Sequence, residues 1–183
     1  MAEMILYTGP MFSSKTTKLL MQADKRYYQK KKVIAFKSKM DDRYSSKGEI
    51  VSHNLGKIPA FLVSNGKEII EIIANCDKDI DCVLIDELFL IQDSAYTCVE
   101  LYKKGYDVII ASIDLNFAGA PFEEVEKIMP YCTRIIKCKA VCPICGDDAR
   151  YTHRKTDDKS EILVGADDIY EPRCQLHFKY MKA

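Results

Sequence analysis

Ile5-Leu6-Tyr7-Thr8-Gly9-Pro10-Met11-Phe12-Ser13-Ser14-Lys15-Thr16-Thr17 runs from a short apolar, β-prone stretch through a glycine into a helix-forming stretch that opens near Lys15. Strand, tight loop, lysine plus threonine, helix is the order that a phosphate-binding loop requires. Backbone N–H groups of the loop and the positive end of the helix dipole face an anion. Lys15 adds a mobile charge for the β- and γ-phosphates, and the Thr16 hydroxyl is placed to ligate Mg²⁺. Residues Gly9, Pro10, Met11, Phe12, Ser13, Ser14, Lys15, Thr16 and Thr17 are therefore the candidate nucleotide-binding set. The spacing is that of G-x-x-x-x-G-K-[ST] except at Ser14, which replaces the second glycine. Its Cβ is expected to crowd the phosphates or resist the backbone angles of the loop. The rival reading is a strand-to-helix turn that merely ends in Ser-Lys-Thr.

The 183 residues suit one domain, or one domain with a small appendix, and 48% apolar residues supply a core. The 27 lysines and arginines balance the 27 aspartates and glutamates, so the chain lacks the basic excess of a general nucleic-acid binder. A local basic groove stays open. No charged-then-apolar leader and no long apolar run are present, which argues against secretion or a membrane span. With phosphate ligands, this points to the cytosol. The eight cysteines then call for a reducing explanation. Cys76, Cys82, Cys98, Cys132 and Cys138 are scattered and read as small buried apolar residues.

The helix after the loop is expected from Lys15 to about Lys31, with Leu19, Ala23 and Tyr27 facing the sheet. The Lys30-Lys31-Lys32 run complements the negative end of that helix. Val33–Phe36 is the next strand, and the polar loop Lys37–Ser52 follows it at the edge where open α/β sheets hold ligands. Within it, Arg43 is a candidate phosphate contact, and His53 lies just beyond. Ala60–Val63 reads as a strand, Gly66–Asn75 as a helix with Ile69, Ile70, Ile72 and Ile73 inward, and Cys82–Ile85 as a strand buried on both faces. That strand ends in Asp86-Glu87. An aspartate there can hold Mg²⁺ beside the phosphates, and Glu87, pointing to the other side of the strand, is free to act as a base. A helix over Asp93–Lys104 and a strand over Val108–Ala111 complete the alternation, which implies a mostly parallel α/β sheet with right-handed crossovers.

The last portion changes character. Cys142-Pro-Ile-Cys145 and Cys174-Gln-Leu-His177 are two ligand pairs, each with two intervening residues, and thiolates plus imidazole suit a tetrahedral zinc ion. Four protein ligands leave no open position, so the zinc is expected to be structural. Ala149–Arg154 and Glu161–Val164 read as short β segments between the pairs, and Gly165–Tyr170 as a loop tethered by the metal at its far end.

Together these residues resemble the type II thymidine kinases, cytosolic P-loop deoxynucleoside kinases with a zinc domain, from about Ile5 to His177. Gly9-Pro10-Met11-Phe12, Asp41-Asp42-Arg43-Tyr44, Ser52-His53, Ile85-Asp86-Glu87, and Asp114 with Phe117, Pro121 and Phe122 match that family's motifs, and Val164 to Tyr170 its lasso loop. The resemblance implies Glu87 as base on the sugar 5′-hydroxyl and Arg43, with Lys15, at the phosphates. It implies Phe117, Phe122 and Thr152 around the base, with Val164, Gly165, Asp168 and Tyr170 of the lasso over the nucleoside. It further implies ATP as donor, a homotetramer, and feedback inhibition by thymidine triphosphate. Three positions depart from the pattern. Ser14 replaces a glycine; Leu88-Phe89-Leu90 lacks the family's glutamine and its aromatic pocket residue; Ala166 replaces the second lasso glycine.

The fold expected is thus a P-loop α/β domain over residues 1–137, its mostly parallel sheet flanked by helices, and a small zinc-binding β domain carrying the lasso over 138–183. The function expected is ATP-dependent phosphorylation of a deoxynucleoside, thymidine first. The rivals are a nucleoside-triphosphatase with a zinc module and a non-catalytic nucleotide-binding relative.

Overall fold

A computed structural model of the chain describes residues 2–41, 48–52, 56–76, 79–163 and 165–180. Arg43, with Asp42, Tyr44, His53 and Val164, lies outside the described residues.

Six parallel strands form the central sheet. In chain order the elements begin with β1 (Met4–Thr8), α1 (Lys15–Tyr28), β2 (Val33–Ser38), β3 (Glu49–Ser52), β4 (Gly56–Pro59), β5 (Phe61–Val63), α2 (Gly66–Ala74) and β6 (Cys82–Asp86). They continue with α3 (Ser94–Lys103), β7 (Asp107–Ser112), α4 (Glu123–Ile128) and β8 (Arg134–Lys137). The spatial order is β5-β2-β6-β7-β1-β8, all parallel, while β3 and β4 pair antiparallel with each other. Because every strand points the same way, Thr8, Ser38, Asp86 and Ser112 end at one edge, the edge where such sheets collect ligands.

Both faces are covered, which is why β1, β6 and β7 are apolar without alternation and buried throughout. Ile5, Tyr7, Leu84 and Ile109 pack on Leu19, Leu20 and Ala23 of α1 and on Ile50 of β3. Met4, Leu6, Val83, Ile85 and Ile110 pack on the other side, against Ile69, Cys98, Leu101 and Val125 of α2, α3 and α4. Cys82, Cys98 and Cys138 are buried thiols, and Cys76 and Cys132 are half-buried. Burial pushes the Cys82 thiol up to about 12.

α1 stops at Tyr28 rather than near Lys31, and Tyr27 is 48% exposed where the periodicity predicted it inward. Arg26 is the inward residue instead, 2% exposed and paired with Glu3 at 3.1 Å and Asp107 at 3.6 Å. Two carboxylates at the lower edge of the sheet turn the last helical turn toward themselves, and that ion pairing overrides the apolar stripe. Lys31 likewise meets Asp107 at 2.7 Å.

After β8 the chain forms β9 (Ala140–Val141), β10 (Asp148–Ala149), β11 (Tyr151–Arg154) and β12 (Tyr170–Arg173), paired β9 with β10 and β11 with β12, both antiparallel. The expected strand over Glu161–Val164 is not formed at 161–163; the partner of β11 is β12. Among the described residues no helix is long and apolar enough to cross a membrane.

Candidate functional site

Gly9 leaves β1 at φ +140°, and a Cβ there would stand 2.3 Å from the Cys138 carbonyl oxygen. Glycine is required because the loop runs against the chain emerging from β8, whose Cys138 N–H donates to Thr8 O. The loop then holds Phe12 at φ +63° and Ser14 at φ +61°. Ser14 adopts the left-handed geometry that the missing glycine would have supplied, so the strain is real. Its side chain is exposed and makes no capping hydrogen bond.

Lys15 opens α1 and folds back over the loop, donating to Pro10 O at 2.6 Å. Burial holds its ammonium below the usual lysine range, although Glu87 and Asp86 pull it back up. The Thr16 hydroxyl donates to both carboxylate oxygens of Asp86, at 3.2 and 3.3 Å. A threonine hydroxyl and a carboxylate this close form the hard oxygen donor set that suits Mg²⁺. These side chains, with Glu87, line one polar cavity of about 240 Å³ above the strand ends.

Glu87 departs from the expected pleat. Its backbone sits at φ +52°, ψ +50°, outside β6, so strand alternation does not separate it from Asp86; both face the same polar cavity. The left-handed turn starts a 3₁₀ turn over Leu88–Leu90, closed by Leu90 N–H to Glu87 O at 3.0 Å. A non-glycine residue held in that region marks a site where the surroundings override local preference.

From Asp86 to Leu90 the chain passes from the polar cavity into a second, apolar pocket. Phe89 stands there with its ring centroid 4.4 Å from that of Phe122, its N–H donating to Ser112 Oγ at 3.2 Å. Met11 borders both cavities. Its N–H donates to the buried Thr152 Oγ1 at 3.0 Å, which ties the phosphate loop to β11. Phe117, Gly165 and Tyr170 add further walls, whereas Asp168 is exposed and accepts from Ala166 N–H at 3.1 Å.

Sequence reasoning missed Arg154. Its side chain is 2% exposed, and its guanidinium carbon lies 3.8 Å from the centroid of Phe117. It donates to the carbonyls of Asp158 at 2.9 Å, Ser160 at 2.5 Å and Glu161 at 3.3 Å, and to Tyr170 OH at 2.8 Å. Tyr170 in turn donates to Leu163 O at 2.7 Å. Within 161–163 the Glu161 carbonyl thus serves the guanidinium and the Leu163 carbonyl the Tyr170 hydroxyl, not a strand ladder. The available signal was Asp158, four residues on, whose carboxylate stands 3.9 Å from the guanidinium.

Cys142, Cys145, Cys174 and His177 converge, with all four ligand atoms within 4.8 Å of one another. Cys145 Sγ lies 3.6 Å from Cys174 Sγ, and His177 Nδ1 3.2 Å from Cys174 Sγ and 3.8 Å from Cys142 Sγ. Zinc–sulfur bonds of about 2.3 Å give tetrahedral edges of about 3.8 Å, so the cluster fits zinc. Burial works against ionisation of Cys142, but N–H groups of Cys174, Ile144 and Cys145 bring its thiol down to about 6. Beyond the last ligand, Phe178 stacks on Tyr151 at 4.4 Å and Tyr180 packs edge-on at 5.5 Å. Both rings lie over Gly119, where a Cβ would meet Tyr180 at 3.0 Å. The segment after the Cys/His cluster thus braces the loop that carries Phe117.

The profile of the Thymidine kinase family matches residues 2–178. The chain belongs to the thymidine kinase family. It is 36% identical over 176 residues to a protein named Thymidine kinase of Aster yellows witches'-broom phytoplasma (strain AYWB), covering 92% of this chain and 83% of the relative. It is 35% identical, with the same coverage, to the Thymidine kinase of Onion yellows phytoplasma (strain OY-M).

Against the thymidine kinase pattern, two of the three departures now have a physical reading. The aromatic wall missing from Leu88-Phe89-Leu90 is supplied by Phe89 itself, against Phe122. Ala166 needs no glycine, because its backbone is not left-handed and its carbonyl accepts from Ile169 and Tyr170 N–H in an ordinary turn.

Proposed function

We propose that this chain transfers the γ-phosphoryl group of ATP to the 5′-hydroxyl of thymidine. The observation that carries the reading is the pair of cavities that share Met11 in their walls and are spanned by Asp86–Leu90, one polar and ending at the phosphate loop, one apolar and lined by Phe89 and Phe122. A triphosphate fits the first chemistry and a pyrimidine ring the second.

Phosphoryl transfer needs positioning and charge neutralisation more than covalent participation. The loop amides and Lys15 cradle the phosphates, and Arg43 adds a further positive charge. Thr16 and Asp86 would hold Mg²⁺, which would neutralise phosphate oxygens. Glu87 accepts the proton from the 5′-hydroxyl, a role contributing roughly 10²–10⁴-fold in rate. Phe117, Phe122, Thr152 and Tyr170 enclose the base, with the lasso from Val164 through Gly165 and Asp168 above the nucleoside. Zinc is structural. A division into a catalytic domain over 1–137 and a zinc and lasso domain over 138–183, assembly into a homotetramer, feedback inhibition by thymidine triphosphate and a cytosolic location complete the proposal, on the strength of the family resemblance.

ADP formation across a panel of nucleosides, with Mg²⁺ and added zinc, tests it. Turnover that depends on thymidine and outpaces the other nucleosides is expected. Hydrolysis indifferent to nucleosides and stimulated by DNA or RNA would replace the kinase reading with the triphosphatase.

A further inference from the structure

A second lysine lines the phosphate cavity. Lys37, at the end of β2, has its Nζ 3.2 Å from Asp41 Oδ2, and the two side chains are only 3% and 4% exposed. It is the register partner of Asp86 on the neighbouring strand β6, so both side chains leave the sheet on the same face, into the cavity that Lys15 enters from α1. The spacing of neighbouring strands, about 4.8 Å, sets these side chains beside each other.

A buried ion pair contributes little to stability, because desolvation offsets its attraction; an apolar pair of similar volume would serve the core as well or better. The cavity supplies a different reason. Asp41, Asp86 and Glu87 line it together with two ammonium groups, those of Lys15 and Lys37. Among the described residues that line the cavity, removing Lys37 would leave three carboxylates beside one ammonium. Lysine also suits the place, since its flexible stem and three donors let one N–H stay on Asp41 while another meets an anion.

We propose that Lys37 is a second cation for the terminal phosphoryl group of the nucleotide, aimed by its ion pair with Asp41. The terminal group is singled out because Lys37 flanks Asp86 and Glu87, the side of the cavity from which the chain leads on to Phe89 and the apolar pocket. The proposal rests on the kinase reading for the identity of the transferred group.

The test compares a non-hydrolysable ATP analogue with ADP, both with Mg²⁺, by calorimetry on wild type and Lys37→Met. Loss of one charged hydrogen-bond partner predicts about ten- to a hundredfold weaker binding of the ATP analogue, with ADP affinity changed by less than about threefold. Equal weakening of both ligands, or of neither, overturns the proposal. Lys37→Met also removes a cation from beside Asp41, so Lys37→Met/Asp41→Asn is measured beside it. The same selective loss in the double variant supports the proposal; wild-type binding, or failure of both variants to fold, assigns the pair to the fold and overturns it. No acceptor is present in this comparison. A wild type that binds both ligands but phosphorylates no nucleoside therefore sinks the kinase reading alone, with the Lys37 result still readable.

Discussion

The backbone N–H of Met11 donates to the hydroxyl of Thr152, 3.0 Å away and 141 positions later in the chain. One buried hydrogen bond thereby joins the phosphate loop to the sheet that leads into the zinc module. Thr152→Val keeps the shape and deletes the acceptor, leaving a buried N–H that costs about 1–3 kcal/mol. The expected outcome is a loss of that size in urea denaturation together with a higher KM for thymidine. Thr152→Ser should retain most of both. Equal behaviour of valine and serine would remove the hydroxyl from the account.

Glu87→Gln keeps size and polarity but takes no proton. Turnover on thymidine should fall by about two to four orders of magnitude, the range for a lost general base. ATP binding and zinc content should match wild type. A wild-type rate in this variant would remove Glu87 from the mechanism.

Lys15 illustrates a conflict between stability and function. Burial lowers its pKa below the ordinary 10.5, so the folded state binds this proton less readily than the unfolded chain. Stability from this group is therefore greatest above 10.5 and falls as the pH drops from there through the folded pKa. Lys15→Met should remove that alkaline dependence and be no less stable at neutral pH, while turnover collapses. Parallel denaturation curves at neutral and alkaline pH read the difference. An unchanged alkaline slope in the variant would refute it.

Elemental analysis should return about one zinc per chain, as one four-ligand site requires. Cys145→Ser should lower zinc content and expose residues 155–168 to limited proteolysis, as expected if zinc held by the cluster anchors the strand β12 that closes this stretch. Full stability and activity in the metal-free protein would contradict this.

Ser14→Gly should stabilise the chain by about 0.5–1 kcal/mol, the relief of a left-handed non-glycine residue less the added freedom of the unfolded chain. ATP affinity should hold or rise. If glycine weakens ATP binding, the serine hydroxyl is a working part of the loop.

What the sequence disclosed and what it hid divide along physical lines. The phosphate loop, Asp86-Glu87 and the four zinc ligands sit in contiguous motifs whose spacing is itself the chemistry, and β1, β6 and β7 are apolar runs that only a doubly covered sheet accommodates. The edge strand β8, Arg134–Lys137, escaped notice because it is short and mostly exposed, with charged ends. The turn at Glu87 was invisible since nothing in a glutamate announces a left-handed backbone. Arg154 was hidden for a further reason. Its meaning lies in carbonyls and a ring brought to it by tertiary structure, and carbonyls have no sequence signature.

The short stretch from Asp86 to Leu90 acts as a covalent ruler between the two compartments. Motions of one module against the other leave the length of that ruler unchanged, because its ends belong to one peptide anchored in the central sheet. Another part of the apolar pocket's lining is fixed separately, where the guanidinium of Arg154 holds a loop by its carbonyls. On the proposed function, variation in ring size at Phe89 or Phe122 would retune which base is admitted while leaving reach to the phosphates intact. Inserting or deleting a single residue between them would lose that reach at once.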